Sequence, residues 1–188
     1  MAMLAINIPV NISRMLQEIN VPSEIIRQDY ADHITCFYFE KFDTEDILKI
    51  IPVILNITKS INVFNISVDS YKSFPEGKYG WPVICEIESK ELNKLRDKIK
   101  KEFDKNDIEY SKKFPKFIAH TTLSYVKEKV KNKKIDEIIW PVNNISLYCG
   151  EDNKEKLYIE FQFEGNKEKY SSDCLNEIAE YFKKTATA

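Results

Sequence analysis

The chain has 188 residues, 43% of them hydrophobic, which suffices for one domain or for two small lobes that share a core. The four cysteines are widely spaced with no Cys-x-x-Cys pair, so we expect free thiols in the reducing cytoplasm and no disulfide framework. A formal net charge of -2 argues against a general binder of long duplex nucleic acid, and four glycines are too few for a phosphate-binding glycine loop. The apolar residues 1–10 predict a strand and no signal peptide, and no segment approaches the ~20 apolar residues of a membrane span.

Strand and helix signals alternate through the first half of the chain. The predicted elements are a strand at 4–8, a helix at 11–19 after Pro9, a strand at 33–39, a helix that Asp43 or Thr44 caps, and strands at 62–71 and 82–88. Pro52 is expected to distort the second helix or to mark its first turn. The turn-rich segment 73–81 is either a substrate-side loop or a plain hairpin.

The second half predicts fewer elements. These are a helix at 89–104, a polar linker, a strand at 117–126, a hairpin of strands 144–149 and 156–163, and a helix at 172–183. Because no Pro- or Ser-rich linker divides the chain, strands and helices interleave as in an α+β domain. We therefore expect one domain at 1–166, followed by a helical extension at 167–188.

Both histidines of the chain occur in the same setting, His33-Ile-Thr-Cys and His120-Thr-Thr-Leu, each at the start of a β-prone run. In a strand, residues i and i+2 point to the same face, so each histidine has a threonine hydroxyl, Thr35 or Thr122, beside it. A single such tetrad arises easily by chance, but a weak internal repeat contains both. We expect the two strands to face each other across a cleft.

The same period of two predicts which other side chains share the histidine faces. Phe37 and Ser124 would line the cleft, whereas Tyr38 and Tyr125 would point to the opposite faces and pack in the core.

Two histidines and two threonines meet the needs of phosphodiester cleavage without a metal. One imidazole can act as base on the attacking hydroxyl or water, and the other as acid on the leaving oxygen. The threonine hydroxyls can donate to the non-bridging oxygens. A zinc site would need a third and fourth ligand, and only Asp32 lies near either histidine in sequence. No Gly-x-Ser-x-Gly or Cys-His signature points to a covalent nucleophile.

These paired motifs resemble the His-x-Thr-x signatures of the two-histidine (2H) phosphoesterase superfamily, which includes LigT-like RNA 2′,3′-cyclic phosphodiesterases and 2′-5′ RNA ligases. The resemblance extends from Leu4 to about Phe163 and includes the Ser-Phe-Pro turn at 73–75. It implies two α+β lobes with antiparallel sheets around a pseudo-twofold axis, helices outside and a central cleft. It also implies that His33 and His120 are acid and base, that Thr35 and Thr122 hold the phosphate, and that no cofactor is needed.

Other substrate contacts are predicted outside the motifs. The stretch 112–134 holds eight lysines and one glutamate, which is either a field for a phosphate-bearing substrate or a solvated surface. Within it, Lys112, Lys113 and Lys116 precede the second motif. Tyr79 and Trp81 could stack on a base, although Trp81 could equally be a core residue.

The sequence therefore predicts a monomeric phosphodiesterase that acts on a small nucleotide or an RNA end. One alternative is a catalytically idle RNA- or nucleotide-binding module with the same cleft. Another is a scaffold that binds a partner through its C-terminal helix.

Overall fold

The computed structural model describes residues 2–114, 116–149 and 157–164. These ranges contain three helices, α1 (Val10–Gln17), α2 (Thr44–Thr58) and α3 (Lys90–Lys105). They also contain nine strands: β1 (Ala2–Asn7), β2 (Ile25–Gln28), β3 (His33–Phe39), β4 (Phe64–Ser73), β5 (Trp81–Glu86), β6 (His120–Val126), β7 (Lys133–Val142), β8 (Asn144–Cys149) and β9 (Leu157–Gln162). The predicted turn at 150–153 and helix at 172–183 lie outside the described residues, so the extension at 167–188 stays a prediction.

The strands form two antiparallel sheets. A four-stranded sheet has the order β3-β1-β8-β9, and a five-stranded sheet has the order β2-β6-β5-β4-β7. Each sheet takes strands from both halves of the chain, because β8 and β9 join β1 and β3, while β6 and β7 join β2, β4 and β5. This architecture confirms the predicted α+β fold of two sheets with helices packed outside.

The long helices begin where their capping residues predict. The Asp43 carboxylate accepts hydrogen bonds from the backbone N–H groups of Glu45 and Asp46, and the Ser89 hydroxyl accepts one from Leu92 N–H. α3 buries one stripe with helical spacing, formed by Leu92, Leu95, Ile99 and Phe103. Pro52 lies inside α2 and does not mark its first turn, because the helix begins eight residues earlier, at Thr44.

Two strands, β2 and β7, were absent from the sequence-based prediction. Both lie at edges of the five-stranded sheet. All four residues of β2 are exposed, so they carry no alternating pattern of burial. β7 contacts a neighbour only on the side of β4, and Pro141 is tolerated there because an edge strand needs fewer N–H donors. Within the described ranges, no helix is both long and apolar enough to cross a membrane.

Candidate functional site

The two His-x-Thr strands come together between the sheets. His33 begins β3 at the edge of the four-stranded sheet, and His120 begins β6 in the five-stranded sheet. Cα atoms of β3 and β6 approach within 8 Å of each other. The two imidazoles also interact electrostatically, since the charge of His33 contributes to lowering the pKa of His120. The structure therefore brings the two predicted motifs to one cleft.

A β-bulge interrupts β3 directly after its threonine. Adjacent residues of β1 pair with Thr35 and Phe37, so Cys36 is the extra residue. Beyond the bulge the faces are exchanged. Phe37 is buried against Phe103, with ring centroids 5.1 Å apart. Tyr38 lies on the threonine face instead, where the Thr35 hydroxyl donates to the Tyr38 hydroxyl at 3.4 Å.

β6 contains a bulge at the equivalent position. Adjacent residues of β5 pair with Thr122 and Ser124, which leaves Leu123 as the extra residue. Ser124 is 1% exposed and its hydroxyl has no hydrogen-bond partner among the described residues. Tyr125 follows on the half-buried face that His120 and Thr122 occupy. The bulges thus extend each motif to His-x-Thr-x-x-Tyr on one face.

The predicted faces of four side chains are therefore wrong. Phe37 and Ser124 were expected to line the cleft and are buried on the core side. Tyr38 and Tyr125 were expected in the core and lie on the histidine faces. The period of two on which the prediction depended holds only in a regular strand, and an inserted residue reverses every position after it.

His120 is held in a half-buried environment. Its Nδ1 donates a hydrogen bond to the Ile118 carbonyl at 2.7 Å, so Nε2 is the nitrogen left to act on a substrate. The Phe74 ring, from the turn after β4, lies edge-on to the imidazole with centroids 4.7 Å apart. Burial is the main reason that the pKa of His120 lies below its ordinary value of 6.5. The neutral, basic form is therefore favoured.

His33 has a different partner. Its Nδ1 lies 2.6 Å from Oδ1 of Asp32, and the imidazole side chain is 31% exposed. The hydrogen bond from His33 is the main cause of the lowered pKa of the Asp32 carboxyl group. An ionised Asp32 accepts the Nδ1 proton, so His33 also directs Nε2 away from its partner.

The neighbouring strands place a polar residue opposite each histidine. Asn7 of β1 is paired with His33, and Glu86 of β5 is paired with His120. Asn7 donates to the Ser146 hydroxyl at 2.8 Å, and Glu86 forms an ion pair with Lys72. Across the described ranges, no three His, Cys, Asp or Glu side chains are grouped so that they could hold a metal ion.

An arginine and two tyrosines form a cluster next to the second motif. The Arg27 guanidinium lies 5.1 Å from the ring centroid of Tyr79 and 5.7 Å from that of Tyr125. The two rings meet edge to face at 5.8 Å. Tyr79 is 44% exposed, so one predicted stacking residue lies at the end of the cleft with its ring accessible.

The remaining predicted contacts lie elsewhere. Trp81 is half-buried against the core, with Lys129 Nζ 5.6 Å from its ring centroid. Lys113 forms a 3.2 Å ion pair with Glu40, and Lys112 lines a surface cavity near the end of α3. Lys116 is exposed in the segment before β6.

Six residues near the two motifs were not assigned to the site from the sequence. They are Arg27, Asp32, Tyr38, Phe74, Glu86 and Tyr125.

The sequence matches no family model and no curated protein. The fold, in contrast, matches solved structures over most of their length and most of this chain. TT0787 of Thermus thermophilus has a TM-score of 0.65 at 15% identity, with 88% of this chain and 98% of that chain covered. LigT of E. coli, complexed with 3′-AMP, has a TM-score of 0.63 at 14% identity, covering 86% and 94%. A further structure, described as a phosphoesterase, has a TM-score of 0.66 at 15% identity, covering 86% and 97%. The chain therefore has the two-lobed LigT-like fold.

Proposed function

We propose that the protein is a metal-independent phosphodiesterase of the 2H type that cleaves a nucleotide phosphodiester. The substrate classes are 2′,3′-cyclic phosphate RNA ends, 2′-5′ linkages and small cyclic nucleotides or oligonucleotides. The observation that carries this proposal is the meeting of two His-x-Thr strands at one cleft, with both Nδ1 atoms occupied by partners within their own segments. Crystals of E. coli LigT with 3′-AMP, ATP, NADP+ and phosphate support a nucleotide ligand for this fold.

His120 is the general base in this proposal. Burial favours its neutral form, and the Ile118 carbonyl holds the proton on Nδ1. Nε2 therefore carries the lone pair, which takes the proton of the attacking water or hydroxyl as the new P–O bond forms. A general base of this kind contributes about 10² to 10⁴ in rate.

His33 is the general acid. The Asp32 carboxylate, 2.6 Å from Nδ1, accepts the Nδ1 proton and orients the imidazolium, whose Nε2 then gives its proton to the leaving oxygen as the old P–O bond breaks. One proton is gained at His120 and one is lost at His33. Exchange with solvent returns both groups to their starting states.

The hydroxyl groups between the histidines hold the phosphate. Thr35 and Thr122 lie two residues after their histidines on the same faces, so they donate to the non-bridging oxygens. Tyr38 and Tyr125 extend this row of hydroxyls because of the two bulges. Tyr79 offers an exposed ring on which the base stacks.

The predictions on lysine and tryptophan contacts, cellular compartment and oligomeric state are part of the same proposal. Lys112, Lys113 and Lys116 would attract a phosphate-bearing substrate at longer range, and Trp81 would support the turn that carries Tyr79. Cys36, Cys85 and Cys149 are free thiols, which supports a reducing, cytoplasmic setting. The protein would act as a monomer, which size-exclusion chromatography with light scattering can test.

The test is turnover of a substrate panel in EDTA. The panel contains 2′,3′-cyclic nucleotides, 2′-5′ oligoadenylates and cyclic dinucleotides, and products are separated by chromatography. We expect the unaltered protein to cleave one class, and His33→Ala and His120→Ala each to lower turnover by ~10² or more. Thermal unfolding of each variant controls for folding. Equal turnover in either variant, or loss of activity in EDTA alone, would contradict the proposal.

The idle binding module would give a different result. It would bind one class of nucleotide without cleaving any of the panel, and both histidine substitutions would change affinity only. Intact histidines and threonines in both motifs are the reason we favour the enzyme.

A further inference from the structure

An arginine that contacts two tyrosine rings lies beside the candidate active site. Arg27 belongs to β2, the exposed edge strand, and is paired with Tyr125 of β6. Its guanidinium lies over two tyrosine rings, as described above. In the part of the chain that the structure describes, no acidic side chain lies within ion-pair distance of it. Within the described ranges Arg27 is thus held by aromatic contacts and by no ion pair, and Asp29, two residues along the chain, acts electrostatically on the same Tyr125 side chain.

Contact with aromatic rings does not use up the hydrogen-bonding capacity of an arginine. A guanidinium over a ring is attracted by the π face, and its five N–H donors remain at the edge of the plane. Such a group binds a phosphate with two parallel hydrogen bonds. A second cation is nearby, because Lys78 Nζ lies 5.2 Å from the centroid of the Tyr79 ring. The tyrosine cluster thus orients positive charge at one end of the cleft.

The position of this charge separates it from the phosphate that is cleaved. The scissile phosphate is proposed to lie between Thr35 and Thr122. Tyr125, over which Arg27 lies, follows Thr122 by two to three strand steps, or roughly 7–10 Å. The guanidinium also lies over Tyr79, which comes two residues before the Trp81–Val126 pair at the end of β6, so it is held on the side of Tyr125 that faces away from Thr122. The next phosphate of an oligonucleotide, one nucleotide unit away from the scissile one, can reach that side.

We propose that Arg27 is a subsite for a second phosphate of the substrate, an inference that rests on the proposed phosphodiesterase function. The substrate then carries at least two phosphates one nucleotide unit apart. This excludes a mononucleoside cyclic phosphate as the preferred substrate, because it would leave Arg27 unused. The second phosphate is either the next phosphodiester of an oligonucleotide or a terminal phosphate group.

The test compares substrates that differ only in the second phosphate. For a cyclic end these are adenosine 2′,3′-cyclic phosphate, the same compound with a 5′-phosphate, and the dinucleotide ApA with a 2′,3′-cyclic phosphate. For a 2′-5′ linkage they are the diadenosine monophosphate with and without a 5′-phosphate. We expect a second phosphate to raise kcat/KM about tenfold, as one exposed charge-assisted contact does. Comparison of the 5′-phosphorylated compound with the dinucleotide shows whether Arg27 binds a terminal phosphate or the next phosphodiester.

Variants at Arg27 connect this preference to the side chain. Arg27→Gln should reduce the ratio of kcat/KM with the second phosphate to kcat/KM without it to nearly one. Arg27→Lys should retain part of this preference, because the charge remains without the paired donors. Arg14→Gln is the matched control, since Arg14 is an exposed arginine on α1, and it should leave the preference unchanged. A preference that survives in Arg27→Gln, or that is absent from the unaltered protein, would overturn the inference.

Binding measurements keep this inference distinct from the catalytic one. In the His33→Ala/His120→Ala double variant, calorimetric titration with the same compounds should show tighter binding when the second phosphate is present, and Arg27→Gln should remove that gain. Phosphate-dependent binding without turnover in the unaltered protein would refute the phosphodiesterase and support the subsite. Turnover without phosphate-dependent binding would support the phosphodiesterase and refute the subsite. The absence of both turnover and phosphate-dependent binding would refute both proposals.

Discussion

The two histidines share a motif but occupy different electrostatic environments. His120 is half-buried beside Phe74 and donates to a neutral carbonyl, whereas His33 is partly exposed and contacts the Asp32 carboxylate. A base requires a neutral imidazole and an acid requires a charged one. Residues outside the motifs therefore give the two histidines different hydrogen-bond partners, and burial lowers the pKa of His120.

The lowered pKa of His120 has a measurable consequence. As a base it must be neutral, so activity rises with pH through its pKa, and the acidic limb of the kcat/KM profile should lie below pH 6.5. Phe74→Ala removes the ring that shields the imidazole, which should raise the pKa and move that limb to higher pH. Phe114→Ala is the control, because Phe114 is 73% exposed. A limb that stays in place in Phe74→Ala would argue against burial as the cause.

Asp32 provides a second test at the same scale. Asp32→Asn retains the shape of the side chain and removes the carboxylate that accepts the His33 Nδ1 proton. We expect kcat/KM at pH 7.5 to fall about tenfold, since one charge-assisted hydrogen bond is worth roughly 1.5–3 kcal/mol. Asp97→Asn, on the exposed face of α3, should leave kcat/KM unchanged, and full activity in Asp32→Asn would contradict the role of Asp32 in holding His33.

At the scale of single elements, the predictions from sequence differed in quality for a physical reason. The strand at 33–39 was predicted with its observed bounds, and the strand of the second motif, predicted at 117–126, begins only at His120, because the alternation is clear only around the motifs. The bulges after Thr35 and Thr122 were not visible, because Cys36 and Leu123 look like ordinary strand residues. A bulge arises from the pairing of two strands, which a single segment does not reveal. The edge strand β2, which carries Arg27, was missed because none of its residues is buried.

The bulge in β3 predicts opposite effects for two adjacent aromatic residues. Phe37 is 3% exposed and packs on Phe103 and Tyr110, so Phe37→Ala should lower the free energy of unfolding by about 3–5 kcal/mol. Tyr38 is 39% exposed on the cleft face, so Tyr38→Ala should cost far less stability and should lower turnover instead. Urea unfolding and kcat/KM measure the two effects. The reverse order of stabilities would mean that β3 is a regular strand.

At the scale of the whole molecule, the candidate site depends on pairings that cross the chain. Sequence reasoning located the two histidines and the fold class, since a repeated motif with flanking elements is a local signal. It could not supply the strand order, in which β8 and β9 complete the sheet that carries His33. It also could not supply the pairing of β2 with β6, which brings Arg27 to Tyr125. Contacts between segments far apart in sequence therefore account for most of what was missed.

This interleaving predicts that neither half of the chain folds alone. A fragment of residues 1–89 would retain β1 and β3 without β8 and β9, and it would lack β6, which joins β2 to β5. Its core would lose fully buried residues such as Leu147 and Phe161. Because two-stranded remnants are marginal in water, we expect the fragment to show no cooperative thermal transition by circular dichroism, whereas the full chain unfolds in one step. A sharp transition in the fragment would show that the first half is an independent lobe, and the cleft would then be an interface between two domains.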